Sequence, residues 1–195
     1  MATKFQKDLQ KYAELAVRVG VNLRPGQRLL VRGPAAFGVA AELAPLVHYI
    51  AEAAYKAGAR LVDVMWGDEE TELIRFRYAP RDSFIEFPRW KATGPLDYAE
   101  RGDAVLSISG TDPDLLASQD PELVSIFQDA IWKETAAFSK HISSNSINWC
   151  VIAAARPAWA GPAGPSWRYD TSGPRDSPAT PGCPPATPSP GRARR

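Results

Sequence analysis

The stretch RLLVRGPAAFGVAAELAPLVHYIAEAAYKAGARLVDVMW, residues 28–66, decides the fold class of this chain. Its two ends, at 28–32 and 60–66, are short runs of branched apolar residues, which are typical of buried strands. Between them apolar residues recur at helical spacing, and Pro45 and Gly58 mark the expected start and end of that helix. Because the second run begins one β-α-β length after the first, we predict two parallel strands joined by a helix.

The chain before this unit predicts one more helix. Apolar residues recur at helical spacing from Phe5 to Val19, and Thr3 with Gln6 has the form of a capping box. We expect this helix to end near Gly20.

The chain after the unit continues the alternation of helix and strand. We predict short helices over 68–78 and 81–91, the second capped by Asp82 or Ser83, with Phe84, Phe87 and Trp90 on one side. AVLSIS at 104–109 and WCVIAA at 149–154 predict the third and fourth strands. Between them, Asp120 as N-cap and Pro121 at the first helical position predict the start of a long helix.

This order of elements predicts an α/β fold. It is typical of a mostly parallel sheet covered by helices on both faces, with Rossmann-like or flavodoxin-like layering and right-handed crossovers. We assign residues 1–160 to this domain and residues 161–195 to a disordered tail rich in Pro, Gly and Arg. The tail cannot form a core, since no Leu, Ile, Val, Met or Phe occurs after Ile152.

Charge and composition exclude several classes of partner. A net charge of +1 produces no strong field, so we expect neither a nucleic acid nor an anionic membrane as a partner. The sequence contains no apolar run of about 18 residues and no signal-like N-terminus, which favours the cytoplasm. Cys150 and Cys183 are expected to be free thiols, because two cysteines in this context do not predict a disulfide framework.

The loop Gly33-Pro34-Ala35-Ala36-Phe37-Gly38 follows the first strand, where phosphate-binding loops occur. Its spacing matches neither G-x-G-x-x-G nor a Walker loop, and Pro34 removes one amide donor. We favour a plain connection between strand and helix over phosphate binding.

Acidic residues form the next candidate site. Asp68, Glu69, Glu70 and Glu72 follow the second strand, at the edge where open α/β sheets bind ligands. Asp68 can equally cap the next helix, and Glu69 and Glu70 can complement the positive end of its dipole. Without histidines at a fixed spacing, we favour the capping role over a metal site.

The remaining polar candidates have structural explanations that we favour. We interpret His48 as a boundary residue of its helix and His141 as a helix-end residue. Asp112, Asp114 and Asp120 have a spacing that suggests a metal loop, but Asp-Pro pairs are ordinary turn and helix-start signals.

Arginines and aromatic residues alternate between Arg75 and Trp90, a composition that can stack on nucleic-acid bases. Acidic residues within this stretch dilute its charge, so we favour a packed helical excursion or a subunit contact. We therefore assign no catalytic, cofactor-binding or metal-binding residue in this chain.

The order of motifs is similar to that of the thermophilic metallo-aminopeptidases, the aminopeptidase T and aminopeptidase S family. The resemblance is carried, from residue 3 to about 160, by LRPGQRLLVRGP, AYKAGARLVDVMWGDEE, FIEFPRWKATG, ERGDAVLSISGTDPDLLASQDPELV and INWCVIAAARPAWA. It implies that residues 1–160 correspond to the N-terminal domain of such an enzyme.

The resemblance implies a cytoplasmic homodimer that releases N-terminal residues from peptides with two divalent metal ions, Zn, Co or Mg. The family's metal ligands lie beyond the matched region, so the resemblance carries none of them over to this chain. We therefore expect this chain alone to be inactive, with a stand-alone ligand-binding or dimerisation module near Gly33, Asp68 and Gly110 as the alternative. Its tail resembles out-of-frame translation of a GC-rich sequence more than a genuine Pro-rich linker.

Overall fold

Four parallel strands form the central sheet of the computed structural model, which describes residues 3–34 and 37–156. They are β1 (Arg28–Arg32), β3 (Leu61–Val64), β5 (Ala104–Ser109) and β6 (Trp149–Ala153), in the order β3-β1-β5-β6. A separate pair of two-residue strands, β2 (Val39–Ala40) and β4 (Trp66–Gly67), lies beyond the carboxyl ends of β1 and β3. The predicted parallel strands are confirmed.

Helices pack on both faces of this sheet, which confirms the predicted α/β fold class. On one face lie α1 (Lys4–Leu15), which continues as a π-turn over Ala16–Gly20, and α2 (Ala44–Lys56). On the other lie α4 (Trp90–Glu100) and α5 (Pro121–Ser143), and α3 (Glu69–Tyr78) packs against α5 through an aromatic cluster.

Alternation along the strands divides their side chains between the two faces. Leu29 and Val31 of β1 join Leu106 and Ile108 of β5 under α1 and α2, where all four are almost fully buried. Leu30 of β1 and Val105 of β5 point to the opposite face, where they pack with Tyr98 of α4 and Phe138 of α5. This period of two is the pattern that a sheet buried on both faces requires.

Local helix signals are confirmed at the starts of α1 and α5. Thr3 and Gln6 form the predicted capping box, with reciprocal bonds of 2.8 and 3.2 Å. Asp120 caps α5 by accepting from the amide of Glu122 at 2.9 Å. Both signals act within a few residues, so they do not depend on tertiary packing.

The predicted helix over 81–91 is wrong. A 3-10 turn occupies Arg81–Ile85, and α4 begins only at Trp90 because Pro88 has no amide donor to continue a helix. No side chain caps this turn; the hydroxyl of Ser83 instead donates to the carbonyl of Pro80. Phe84 and Phe87 are buried whereas Trp90 is 62% exposed, so Trp90 does not share the environment of the two phenylalanines with which the sequence pattern grouped it.

Cys150 is a free thiol, as predicted, and burial raises its pKa. Cys183 and the predicted disordered tail, 161–195, lie outside the described residues. Within the described ranges, no helix combines the length and apolar character needed to cross a membrane.

Candidate functional site

The carboxyl edge of the sheet holds the acidic residues that the sequence singles out. Asp68 caps α3, because its carboxylate accepts from the Thr71 amide at 3.2 Å and the Thr71 hydroxyl at 2.6 Å. The hydroxyl bond holds the pKa of Asp68 below its ordinary value, although the carboxylate is exposed. This geometry agrees with the capping role that we favoured.

Glu69 lies at the centre of a network that the sequence did not indicate. Its Oε1 accepts from Nη1 of Arg156 at 2.7 Å and from the amide of Asp112 at 3.2 Å. Arg156 also donates to the carbonyl of Gly110 at 3.1 Å and pairs with Glu42 at 2.8 Å. The network therefore ties the end of the described chain to the carboxyl edge of β5 and the start of α3.

The other two acids of the cluster form ion pairs, one within α3 and one between α3 and α4. Glu70 pairs with Arg77 at 3.1 Å and Glu72 with Lys91 at 3.7 Å. In residues 3–34 and 37–156, no three His, Cys, Asp or Glu side chains gather as a metal-ligand group. The four carboxylates at this edge are therefore engaged in a helix cap and in ion pairs.

The glycines of the loop after β1 allow two backbone segments to approach each other. Gly38 has φ of +70°, and a Cβ there would lie 2.6 Å from the carbonyl carbon of Trp66. A Cβ on Gly33 would overlap the carbonyl of Gly38, and one on Gly67 would overlap the carbonyl of Phe37. Close packing of the β2–β4 pair accounts for these glycines, in line with the plain connection that we favoured.

The histidines and the remaining aspartates are not brought together. His48 is exposed on α2, and His141 forms a 2.8 Å hydrogen bond with Ser146 at the end of α5. Asp112 accepts from the amide of Asp114 at 2.9 Å in a local turn. These contacts agree with helix-end and turn roles.

The phenylalanines of the arginine-rich aromatic stretch pack into the protein interior, whereas Tyr78 and Trp90 at its surface are exposed. Arg75 lies over the rings of Phe84 and Phe127, at 5.0 and 5.5 Å, and donates to the carbonyls of Ser83 and Glu86. The cluster packs α3 and the 3-10 turn against α5. It agrees with the packed excursion that we favoured over base stacking.

A groove of about 490 Å³ opens between α5 and the outer strand β6, and we call it the α5–β6 groove. Three apolar side chains at its rim are open to water: Trp132 of α5 at 68% exposure, and Val151 and Trp149 of β6 at 56% and 37%. The groove exists because α5 contacts β1, through Arg32 and Phe138, and leaves β6 uncovered on this face. No motif in the sequence predicted it.

Arg32 forms part of the inner wall of the α5–β6 groove and is only 6% exposed. Its Nε donates to the carbonyl of Gly33 at 3.2 Å, and its guanidinium lies 5.0 Å from the centre of the Phe138 ring. Burial lowers the pKa of this guanidinium from its ordinary value. These contacts brace the end of β1 against α5.

Near Glu69 and Gly110, the space between the glycine-rich segments is small. It measures about 10 Å³, close to the lower limit for a single water molecule. A ligand-binding module at this edge would therefore need the backbone to move. Gly33, which the sequence grouped with Asp68 and Gly110 in a possible binding module, borders the larger α5–β6 groove instead.

Known proteins match this sequence and fold. The family described as thermophilic metalloprotease (M29) matches residues 5–168. Aminopeptidase 2 of Geobacillus stearothermophilus is 40% identical over 157 residues, which are 80% of this chain and 37% of that protein. Aminopeptidase AmpS of Bacillus subtilis (strain 168) is 35% identical over 156 residues, with the same two shares.

The solved structure of wild-type AmpT from Thermus thermophilus shares the fold with a TM-score of 0.73 and 34% identity. The match covers 80% of this chain and 38% of that one. This chain therefore spans little more than a third of the length of the relatives that it matches.

Proposed function

This chain belongs to the thermophilic metalloprotease (M29) family, and on that premise we propose that it is the non-catalytic N-terminal domain of a metal-dependent aminopeptidase. The complete enzyme would release N-terminal residues from peptides. The observation that carries this proposal is the family match over residues 5–168, together with the fold shared with AmpT. We infer further that this domain alone hydrolyses nothing.

The arrangement of metal-ligating side chains among the described residues supports the inference that this domain alone is inactive. A site for two divalent ions needs several carboxylates and imidazoles directed at one point. Here Asp68 caps a helix, Glu69 is held by Arg156, and the two histidines lie on different helices. The described residues therefore do not fit the two Zn, Co or Mg ions that the family resemblance implies.

An activity assay tests the proposal directly. The purified chain is incubated with leucine p-nitroanilide in Co²⁺, Zn²⁺ or Mg²⁺, with aminopeptidase 2 of Geobacillus stearothermophilus as the positive control. We expect no release above the metal-containing buffer and no saturable Zn²⁺ binding by calorimetry. Metal-dependent turnover by the chain would contradict the inactive-domain proposal.

We propose that the complete enzyme is a homodimer, and the α5–β6 groove supports association with a second copy. An exposed apolar patch bordered by polar residues is typical of a contact surface. Sedimentation velocity should show a dimer that dissociates in Trp132→Ser. Trp90→Ser is the matched control, because Trp90 is 62% exposed on α4 outside the groove.

A peptide-binding titration of the same variants tests the alternative function. If the chain is monomeric and binds a peptide saturably, and Trp132→Ser abolishes that binding, the groove serves a stand-alone ligand-binding module. The volume of the groove, about 490 Å³, lies within the range of small-molecule pockets, about 300–1,000 Å³. A monomer that binds no peptide would argue against both uses of the groove.

The proposed enzyme acts in the cytoplasm on peptide substrates. The absence of a long apolar run in the sequence and the family resemblance support this location. Fractionation of cells that produce the tagged chain tests it, and recovery from the membrane or secreted fraction would contradict it.

A further inference from the structure

One wall of the α5–β6 groove carries a buried positive charge. Arg32 is the last residue of β1 and is 6% exposed. It is the only charged side chain among the described residues that line the groove. Because no carboxylate belongs to this described lining, the groove presents a positive charge to whatever enters it, and charge complementarity favours an anionic group there.

Strand register places Arg32 at one end of a row of side chains that crosses the sheet. Arg32 of β1 is opposite Ser107 of β5, and Ser107 is opposite Val151 of β6. In the neighbouring row Val105 of β5 is opposite Trp149 of β6. All five side chains line the groove. Its floor therefore changes from polar at Arg32 and Ser107 to apolar toward β6.

The Arg32 end of the groove lies where the order of the strands reverses. From β1 the chain passes through α2 to β3 on one side of β1, and it then crosses to β5 on the other side. The connections that leave β1 and β5 diverge, with α2 on one face of the sheet and α5 on the other. Open α/β sheets bind ligands in the crevice that such a divergence opens at the carboxyl ends of the strands.

Arg32 and Ser107 can donate hydrogen bonds to the same carboxylate. Their strands are neighbours, about 4.8 Å apart, and a carboxylate accepts bonds at both of its oxygens. The Nε of Arg32 donates to the carbonyl of Gly33 at 3.2 Å, and a guanidinium carries several further N–H donors. The ring of Phe138, 5.0 Å away, holds the guanidinium in place, so its position does not depend on an occupant.

We propose that the α5–β6 groove binds the free C-terminal end of a peptide whose last residue is apolar. The carboxylate accepts hydrogen bonds from Arg32 and Ser107, and the apolar side chain packs on Val105 and Trp149. Bonds between a guanidinium and a carboxylate are charge-assisted and are stronger than neutral ones. The apolar half of the floor adds the burial of the side chain.

Polar side chains along α5 favour a peptide over a simple fatty acid. Gln128, Thr135 and Ser139 line the wall that faces the strands. The hydroxyl of Thr135 donates to the carbonyl of Ile131 at 2.7 Å, and its oxygen can still accept from an amide. These groups match the N–H and C=O groups of a peptide backbone, whereas a fatty-acid chain would cover them without replacing their bonds to water.

This inference rests on the proposed ligand-binding use of the groove, and it does not require the chain to hydrolyse peptides. It is compatible with self-association, because Arg32 stands two strands inside Val151, about 10 Å from that rim residue. A second copy that covers the rim at Val151 and Trp132 therefore need not displace a carboxylate at Arg32.

An NMR titration of the full, ¹⁵N-labelled chain with two matched peptides tests the assignment. Acetyl-Ala-Leu has a free carboxylate, and acetyl-Ala-Leu-amide lacks that charge. At about pH 7 the carboxylate is ionised, and we expect it to bind at least about tenfold more tightly than the amide. Both N-termini are blocked, so the measurement does not depend on aminopeptidase activity. Equal affinities, or no binding of either peptide, would overturn the proposal.

Two variants locate the carboxylate. Arg32→Met should bind both peptides equally weakly, and a preference for the carboxylate that persists would overturn the proposal. Arg101→Met is the matched control, because Arg101 is exposed at the end of α4 outside the groove and should keep the preference. Ser107→Ala keeps the cation and carries the test if Arg32→Met does not fold. It should weaken only the carboxylate peptide, by about three- to tenfold, and an unchanged affinity would overturn the proposal.

Hexanoate distinguishes a peptide from a simple carboxylic acid. It carries the same charge on an apolar chain without a peptide bond, so we expect it to bind at least about tenfold more weakly than acetyl-Ala-Leu. Equal affinities would overturn the assignment of a peptide. None of these results bears on the inactive-domain proposal, which metal-dependent turnover would contradict.

Discussion

The two faces of the sheet differ in how completely helices cover them. Under α1 and α2, side chains from β1, β5 and β6 join one continuous core, in which Leu29, Leu106 and Ile50 are fully buried. Under α4 and α5 the core reaches β1 and β5, but Trp149 and Val151 of β6 remain open to water.

This difference separates stability from association. The α1–α2 face buries its apolar surface within the chain, so it supplies most of the hydrophobic stabilisation that the fold needs. The α4–α5 face leaves apolar surface at the α5–β6 groove, where a contact with another surface would remove it from water. Substitutions on the two faces should therefore differ strongly in their effect on unfolding.

We expect the largest effect on the free energy of unfolding from a substitution on the α1–α2 face. Ile50→Ala should lower the free energy of unfolding by about 3–4 kcal/mol, because it leaves a cavity in a fully packed core. Val151→Ala, at a side chain that is 56% exposed, should change it by less than about 0.5 kcal/mol. Urea denaturation measures both, and similar losses would contradict the comparison between the faces.

Arg156 should produce the next largest effect, because its side chain is 10% exposed and that of Glu69 is 15% exposed. Arg156→Met leaves the Glu69 carboxylate without its main partner and should lower the free energy of unfolding by about 2–4 kcal/mol. Adding Glu69→Gln to this variant should recover part of the loss. A double variant less stable than Arg156→Met would show that Glu69 has another essential role.

Two glycines separate close backbone packing from simple chain flexibility. Gly67→Ala should lower the free energy of unfolding by about 1–3 kcal/mol, since the new Cβ overlaps the carbonyl of Phe37. Gly94→Ala is the matched control on the exposed side of α4, where nothing lies within 4 Å. It should stabilise the protein by about 0.5–1 kcal/mol, because alanine favours the helix. Equal effects of the two changes, measured by thermal unfolding, would contradict the close approach at Gly67.

The part of this fold that sequence reasoning predicted depends on local signals. The capping box of Thr3 and Gln6 and the Asp120-Pro121 start of α5 act over a few residues, so they can be read directly. Helix α4 was missed because Gly94 and Pro95 lower its apparent helix propensity, whereas tertiary packing stabilises it. Pro88 likewise separates two elements that the pattern had joined.

The arrangements at the candidate sites depend on contacts that are distant in sequence. Arg156 meets Glu69 across 87 residues, and no spacing rule connects them. The α5–β6 groove results from the position of α5 over β1, which the apolar pattern of α5 does not specify. The acidic residues were correctly located at the sheet edge, but their partners were not predictable from the same pattern.

The smallest effect on stability that we predict concerns Asp120, at the exposed start of α5 on the α4–α5 face. A hydrogen bond from Arg81 is the main cause that holds the pKa of Asp120 below its ordinary value of 3.8, and the amide of Glu122 adds to it. The unfolded chain therefore takes up this proton at a higher pH than the folded chain. The contribution of Asp120 is complete above pH 3.8 and is lost as the pH falls through the lower, folded pKa.

Asp120→Asn and Arg81→Gln should both flatten the fall in unfolding midpoint below pH 3.8, relative to the unchanged protein. They should act alike because Arg81 and Asp120 share one ion pair, at 2.7 Å. Thermal unfolding from pH 7 to pH 2.5 measures this slope. Arg81→Gln could instead keep the original dependence of the unfolding midpoint on pH while Asp120→Asn loses it. That result would show that the helix cap, rather than the ion pair, stabilises the start of α5.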